Sequence, residues 1–269
     1  MDKAYKNLDF LTSPEARTVR ILTEYLEPQV RFGRYHVKDT VVFFGSARAL
    51  PHERALAGIE AAEATGDPAA VAAAHGAAVL ARYYDDARTL ARRLTEWSKG
   101  LHQPARRFIV CSGGGPGIME AANRGASEAA GISIGLGISL PHEAGGNPFI
   151  TRELGFEFHY FFMRKFWFVY LAKALVVFPG GFGTFDELFE ILTLVQTGKM
   201  GKRVPIVLYG REFWEDVLRL DVLVRWGTIS PEDLSLFRCV DTTDEAFDYL
   251  TTELSRLYLE SPDAGSPAL

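Results

Sequence analysis

The sequence is poor in the residues that build disulfides and metal centres. It contains two cysteines, Cys111 and Cys239, each within a short apolar run that is typical of a buried strand. Its six histidines show neither the HxxxH nor the HExxH spacing of zinc ligands. We therefore expect free core thiols, no metal site and no resident cofactor.

Long apolar runs and runs of one charge are also missing. The formal net charge of the 269 residues is −5, and basic residues are interspersed with acidic ones, so no cationic stripe faces a nucleic acid. The first residues, MDKAYKNLDF, lack the basic segment and apolar core of a signal peptide, and no apolar stretch is long enough to span a bilayer. We expect a cytoplasmic protein that binds neither nucleic acid nor membrane.

Short apolar runs alternate with longer helical patterns, which is the order of βαβ units around a parallel sheet. The runs are apolar at consecutive positions, as in strands that helices cover on both faces. The predicted fold class is therefore α/β: a Rossmann-like, doubly wound, mostly parallel sheet with helices on both faces. The predicted strands are 40–45, 108–112, 132–138, 174–178 and 204–209, with 156–161 as a weaker candidate.

Two helices precede or interrupt this pattern. One is predicted over residues 14–26, and a longer one starts after Asp67 as N-cap, with Pro68 in its first turn, and continues to about Lys99. Apolar residues recur on one face of the longer helix at Val79, Tyr83, Ala87, Leu90, Leu94 and Trp97. The predicted organisation is an N-terminal helical extension (1–38), one nucleotide-binding domain (39–260) with an alanine-rich helical insertion near 51–80, and a flexible tail (261–269).

Glycines follow two of the early strands, at the sheet edge where doubly wound folds bind ligands. FFGSAR (43–48) places Ser46 and Arg48 there, which alone is a weak signal. FIVCSGGGPGIMEAANRGA (108–126) places Gly114 and Gly115 before a helix, whose unpaired N–H groups favour a phosphate or a ribose. The alternative is a tight strand-to-helix turn in which Gly125 allows close helix–sheet contact.

A third glycine loop lies in ALVVFPGGFGTFDELFEILTLVQTGK (174–199). The amides of Gly180, Gly181 and Gly183 can surround an anion while Thr184 adds a hydroxyl donor. Glu187 lies about one turn further on, where its carboxylate can reach a sugar. The alternative is an acidic residue that complements the positive end of the helix dipole.

Two adjacent cations, Arg164 and Lys165, lie in the aromatic segment YFFMRKFWF (160–168). Burying both without an anion is costly, so a negatively charged ligand or an acidic side chain is expected nearby. The alternative is that both side chains extend along the apolar surface to reach water. The segment directly precedes the strand that leads into the third glycine loop, which favours the bound anion.

Together these segments resemble the LOG ("lonely guy") family of nucleoside 5′-monophosphate phosphoribohydrolases, often described as possible lysine decarboxylases. The PGGxGTxxE motif covers residues 179–187, the paired basic residues follow Met163, and a GGxxGxM loop covers residues 113–119. LPHEAGGNPFI (140–150) resembles the longer bacterial members, and the resemblance as a whole covers roughly residues 39–225. It implies catalytic roles for Arg164 and Glu187, and base-pocket roles for Met163 and Glu143. The residues for which it implies phosphate or ribose contacts are Ser46, Arg48, Gly114, Gly115, Lys165, Gly180, Gly181, Gly183 and Thr184.

The expected activity is hydrolysis of the N-glycosidic bond of a purine-type nucleoside 5′-monophosphate, AMP or a cytokinin riboside monophosphate. Cleavage passes through an oxocarbenium-like sugar, which a carboxylate such as Glu187 stabilises. The aromatic-rich stretch 161–170 is too apolar to leave uncovered, which predicts a subunit contact and hence a homodimer or a multiple of dimers. The alternatives are a noncatalytic carrier of a nucleotide or of molybdenum cofactor and, less favoured, an oligomeric nucleotide-sensing regulator. A pyridoxal-phosphate decarboxylase is disfavoured because nothing marks a Schiff-base lysine.

Overall fold

A seven-stranded parallel sheet forms the centre of the computed structural model, which describes residues 3–103, 105–139 and 145–260. The strands are β1 Thr40–Phe44, β2 Ile109–Ser112, β3 Ser133–Ile138, β4 Gly155–Phe158, β5 Ala172–Val177, β6 Ile206–Tyr209 and β7 Arg238–Val240. Their spatial order is β4-β3-β2-β1-β5-β6-β7, and every neighbouring pair is parallel. The predicted fold class is thereby confirmed.

Helices cover both faces of this sheet and create two separate apolar cores. The helices are α1 Leu8–Thr12, α2 Arg17–Arg34, α3 His52–Thr65, α4 Pro68–Gly100, α5 Ile118–Glu128, α6 Phe161–Leu171, α7 Phe182–Gln196, α8 Arg211–Val217, α9 Leu220–Arg225 and α10 Thr243–Tyr258. In β1, Val41 and Phe43 face the core that contains α4, α5 and α10, whereas Val42 and Phe44 face the core that contains α2, α6 and α7. Successive side chains of a strand point to opposite faces, so a continuous apolar run serves both cores.

The predicted strands are confirmed within about two residues at each end, including the weaker candidate, which is β4. One boundary was wrong: β4 ends at Phe158, and Phe161 begins α6. Cys111 is buried as expected, but Cys239 is only half-buried. It lies in β7, a three-residue strand at the edge of the sheet, in which only Val240 is fully buried.

Helix α4 follows its sequence signals closely. The side chain of Asp67 accepts a hydrogen bond from the amide of Ala69 at 2.9 Å, and Pro68 is the first helical residue. The predicted apolar face was wrong at Val79, which is 66% exposed, because the buried part of α4 begins only at Ala81. The expected role of Gly125 also needs correction: it permits close contact between helices, since a Cβ there would lie 2.9 Å from the amide nitrogen of Arg92 in α4.

Helix α2 continues beyond the predicted end at residue 26 and passes through Pro28. Proline cannot donate to the carbonyl four residues earlier, which would leave the carbonyl of Glu24 without its helical partner. The indole N–H of Trp167 donates to that carbonyl at 2.9 Å. The carboxylate of Glu24 also accepts from the amides of His159 and Tyr160, at 2.8 and 3.2 Å. These bonds hold α2 against β4 and α6. Within the described part of the chain, no helix is long and apolar enough to cross a membrane.

Candidate active site

A cleft of about 420 Å³ opens at the carboxyl edge of the sheet, and glycines make up half of its lining. The chain passes from β1 through β2 and β3 to β4 on one side and returns to β5 on the other, so the loops after β1 and β5 diverge here. Such a topological switch point is where doubly wound sheets bind ligands. The loops are joined by a hydrogen bond from the amide of Ser46 to the carbonyl of Pro179, at 2.9 Å.

The loop after β2 is held in place by a network of buried polar side chains. The hydroxyl of Ser112 accepts from the amide of Gly114 at 3.0 Å and donates to Asn123 at 2.7 Å. The side-chain amide of Asn147 donates to the carbonyls of Gly114 and Gly115 and to Asn123. Sequence reasoning missed Asn123, in α5, and Asn147, in the loop before β4, because the partners of both side chains lie on other segments of the chain.

Gly117 is required by the fold itself. Its φ is +71°, and a Cβ would lie 2.7 Å from the Cα of Ala47 and overlap the carbonyl oxygen of Ser46. That carbonyl also accepts the first amide of α5, from Ile118, at 3.0 Å. The tight strand-to-helix turn is therefore real at this position, and it packs the loops after β1 and β2 together.

The loop after β5 contains glycines that the protein's own packing does not require. A Cβ added at Gly181 or Gly183 would meet nothing within 4 Å, and the φ of Gly181 is −94°. Gly180, in contrast, packs against the buried side chain of Thr184. An open backbone at the start of α7, beside the positive end of its dipole, is suited to an approaching anion.

Arg164 from α6 and Glu187 from α7 meet on the wall of the cleft. The guanidinium Nη2 of Arg164 lies 3.6 Å from Oε1 of Glu187, whose side chain is 4% exposed. Burial raises the pKa of Glu187 to about 7, although the charges of Arg164 and Lys165 oppose that rise. Glu187 is the sixth residue of α7, beyond its first turn, so complementing the helix dipole does not account for its burial.

The adjacent cation, Lys165, points away from the cleft. Its Nζ lies 2.8 Å from Oδ1 of Asp186 and 2.7 Å from Oε2 of Glu190. The anions expected beside both cations are therefore acidic side chains of α7. Met163 is buried in the core that contains α2, α6 and α7, with 7% exposure.

The other predicted residues divide into those on the cleft and those beside it. Ser46 and Arg48 form a turn after β1, in which the amide of Arg48 donates to the hydroxyl of Ser46 at 3.1 Å. Glu143 lies outside the described residues. The predicted residues that line the cleft are Gly114, Gly115, Arg164, Gly183 and Glu187. Met119, the last residue of the GGxxGxM loop, also lines the cleft, and the main lining residues that sequence reasoning missed are Gly135, Gly137, Ile150, Phe156, Glu157 and Phe161.

Comparison with known proteins places the Arg164 and Glu187 pair within a recognised family. Residues 119–250 match the family model described as "Possible lysine decarboxylase". For this segment the match supports the resemblance to the LOG family seen in the sequence. The matched segment begins in α5 and includes both side chains of the pair. No curated protein matches the sequence.

Solved structures with a similar course of the chain include three that are distant in sequence. TM1055, a structural genomics target, is 20% identical over 80% of this chain and 99% of its own, with a TM-score of 0.47. The molybdenum cofactor binding protein from Rippkaea orientalis is 14% identical over 79% and 94%, with a TM-score of 0.46. The molybdenum cofactor carrier protein from Chlamydomonas reinhardtii is 18% identical over 82% and 99%, with a TM-score of 0.47. Structures as distant as these assign no ligand to this protein.

Proposed function

We propose that the protein hydrolyses the N-glycosidic bond of a purine-type nucleoside 5′-monophosphate, giving the free base and ribose 5-phosphate. The observation that carries this proposal is the buried carboxyl of Glu187, which faces Arg164 on the wall of a glycine-lined cleft. A protein that only carries a phosphate compound needs the glycine loops. It has no need of a buried acid with a pKa of about 7 beside them.

The phosphate is assigned to the loop after β5 and the start of α7. The fold leaves open space at Gly181 and Gly183, so backbone amides there are accessible to phosphate oxygens. Because Glu187 lies one turn further along the same helix, the sugar of a nucleotide bound in this way lies beside its carboxylate. Ser46, Arg48 and Thr184 remain assigned to phosphate or ribose through the family resemblance.

In the reaction, the bond between C1′ and the base nitrogen breaks while water adds its hydroxyl to C1′ and the departing base takes up a proton. Positive charge develops on the sugar as the bond breaks. The carboxylate of Glu187 stabilises that charge and orients the water, in a site where burial strengthens the interaction. Arg164 holds the carboxylate in place through the ion pair and assists departure of the base.

The test is base release from AMP, GMP and IMP by the parent and by Glu187→Gln. The substitution keeps the shape but removes the charge, so turnover should fall by about a hundredfold or more while nucleotide affinity changes little. Glu190→Gln is the matched control, because it removes an acid from the same helix outside the cleft lining. A parent that binds these nucleotides but releases no base would instead be a carrier.

A further inference from the structure

The end of the cleft beyond Arg164 is lined by the backbone of β3 and β4. Gly135 and Gly137 of β3 and Gly155 of β4 line it, and the side chain of Ile150 packs on Gly135. Gly135 is paired with Gly155, and Gly137 with Glu157, so these positions lie side by side on the sheet. Glycine backbone beside an apolar side chain forms a surface against which a planar ring can pack.

Glu157 is the charged side chain at this end. It lines the cleft, and its Oε1 accepts a hydrogen bond from the hydroxyl of Ser139 at 2.6 Å. Among residues 3–103, 105–139 and 145–260, no cation forms an ion pair with it. The side chain of Glu157 is exposed to solvent, and a carboxylate on the cleft lining favours a part of the ligand that donates N–H or O–H groups over a part that is anionic.

The distance from the reacting end agrees with a base at this position. A Cβ on Gly113, which follows β2, would lie 3.8 Å from Nη2 of Arg164. The loop after β2 therefore lies beside the catalytic pair, Arg164 and Glu187. Strand β4 is two positions from β2 in the sheet, and neighbouring strands are about 4.8 Å apart. Glu157 therefore lies roughly 10 Å from the catalytic pair, within reach of the far edge of a purine whose sugar lies beside Glu187.

The donor pattern selects among purines. Guanine presents two adjacent donors, the ring N1–H and the 2-amino group, which match the two oxygens of one carboxylate. Adenine presents one amino group beside a ring acceptor that would face the carboxylate unfavourably, and hypoxanthine presents the single ring N–H. We propose that Glu157 is the base-recognition residue of this cleft and that the preferred substrate is a guanine nucleotide, GMP. This inference rests on the proposed hydrolase function.

The test compares kcat/KM for GMP, AMP and IMP in the parent and in Glu157→Gln. The parent should prefer GMP, and the substitution should lower the GMP to AMP ratio by about ten- to a hundredfold, the usual discrimination of a paired hydrogen-bond contact. A purely structural effect would lower all three activities together and leave that ratio unchanged. Glu153→Gln, which removes an exposed acid outside the cleft lining, should change neither activity nor preference.

The outcomes that would overturn base recognition by Glu157 differ from those that would overturn the proposed hydrolase function. A parent that releases base but prefers AMP, or a Glu157→Gln variant with an unaltered GMP to AMP ratio, overturns base recognition by Glu157 and leaves the hydrolase standing. A parent that releases no base overturns the hydrolase. In that case the ratio of GMP to AMP dissociation constants in the same variants decides whether Glu157 recognises the base.

Discussion

Neutralising Glu187 should make the protein more stable at alkaline pH while it removes activity. Burial raises the pKa of this carboxyl from about 4.5 to about 7, a difference that corresponds to roughly 3 kcal/mol. Because the folded pKa is the higher one, the parent loses this stability as the pH rises from 4.5 through 7. Glu187→Gln escapes that loss, but Arg164 loses an ion-pair partner, so we expect a net gain of about 1 to 3 kcal/mol at pH 8.

Urea unfolding of the parent and the variant at fixed protein concentration, between pH 5 and pH 8, measures this difference. The stability gap should widen by roughly 2 to 3 kcal/mol over that range, because the unfolded carboxyl ionises well before the folded one. Glu153→Gln, on an exposed side chain, should show no such widening. A gap that is independent of pH, or a variant less stable than the parent at pH 8, would refute the assignment of a costly buried charge at Glu187.

Three further outcomes are expected. Hydrolysis should rise with pH through about 7, because the ionised form of Glu187 stabilises the sugar cation; a rate that falls through the same range would make Glu187 the acid that protonates the base. Gly117→Ala should lower the melting temperature, because the added Cβ would clash with Ala47. Gly181→Ala should fold normally but weaken AMP binding. An AMP affinity equal to that of the parent would refute the assignment of the phosphate to the loop after β5. Light scattering at micromolar concentration should show a homodimer or a multiple of it, because the exposed rings of Phe161 and Phe162 need a cover, and a monomer would contradict this.

The fold was largely predictable because its signals are local. A continuous apolar run serves a strand covered on both faces, and the cap at Asp67 with Pro68 marks a helix start through bonds made within three residues. The predictions failed where a distant contact decides the outcome. Helix α2 continues past Pro28 because Trp167, far along the chain, supplies the missing donor. Val79 is exposed because the sheet and its helices bury α4 only from Ala81 onwards.

The candidate site divides in the same way. The glycine loops and the identities of Arg164 and Glu187 are visible in the sequence, since the motif lies within short segments and is specific to one family. Which cation faces the cleft is not visible. Arg164 and Lys165 are neighbours in the chain, but successive positions of a helix point about 100° apart, so one lies against Glu187 and the other against Asp186 and Glu190.

The sequence by itself determined the α/β class, the order of the elements and the loops at the ligand edge, because these depend on periodicity and on turn chemistry within a few residues. Only the tertiary structure decided the pKa of Glu187, which follows from burial, and the position of Glu157 at the far end of the cleft. Both depend on which strands lie side by side. That order is β4-β3-β2-β1-β5, and it is set by the packing of the helices on the two faces, which no short segment encodes.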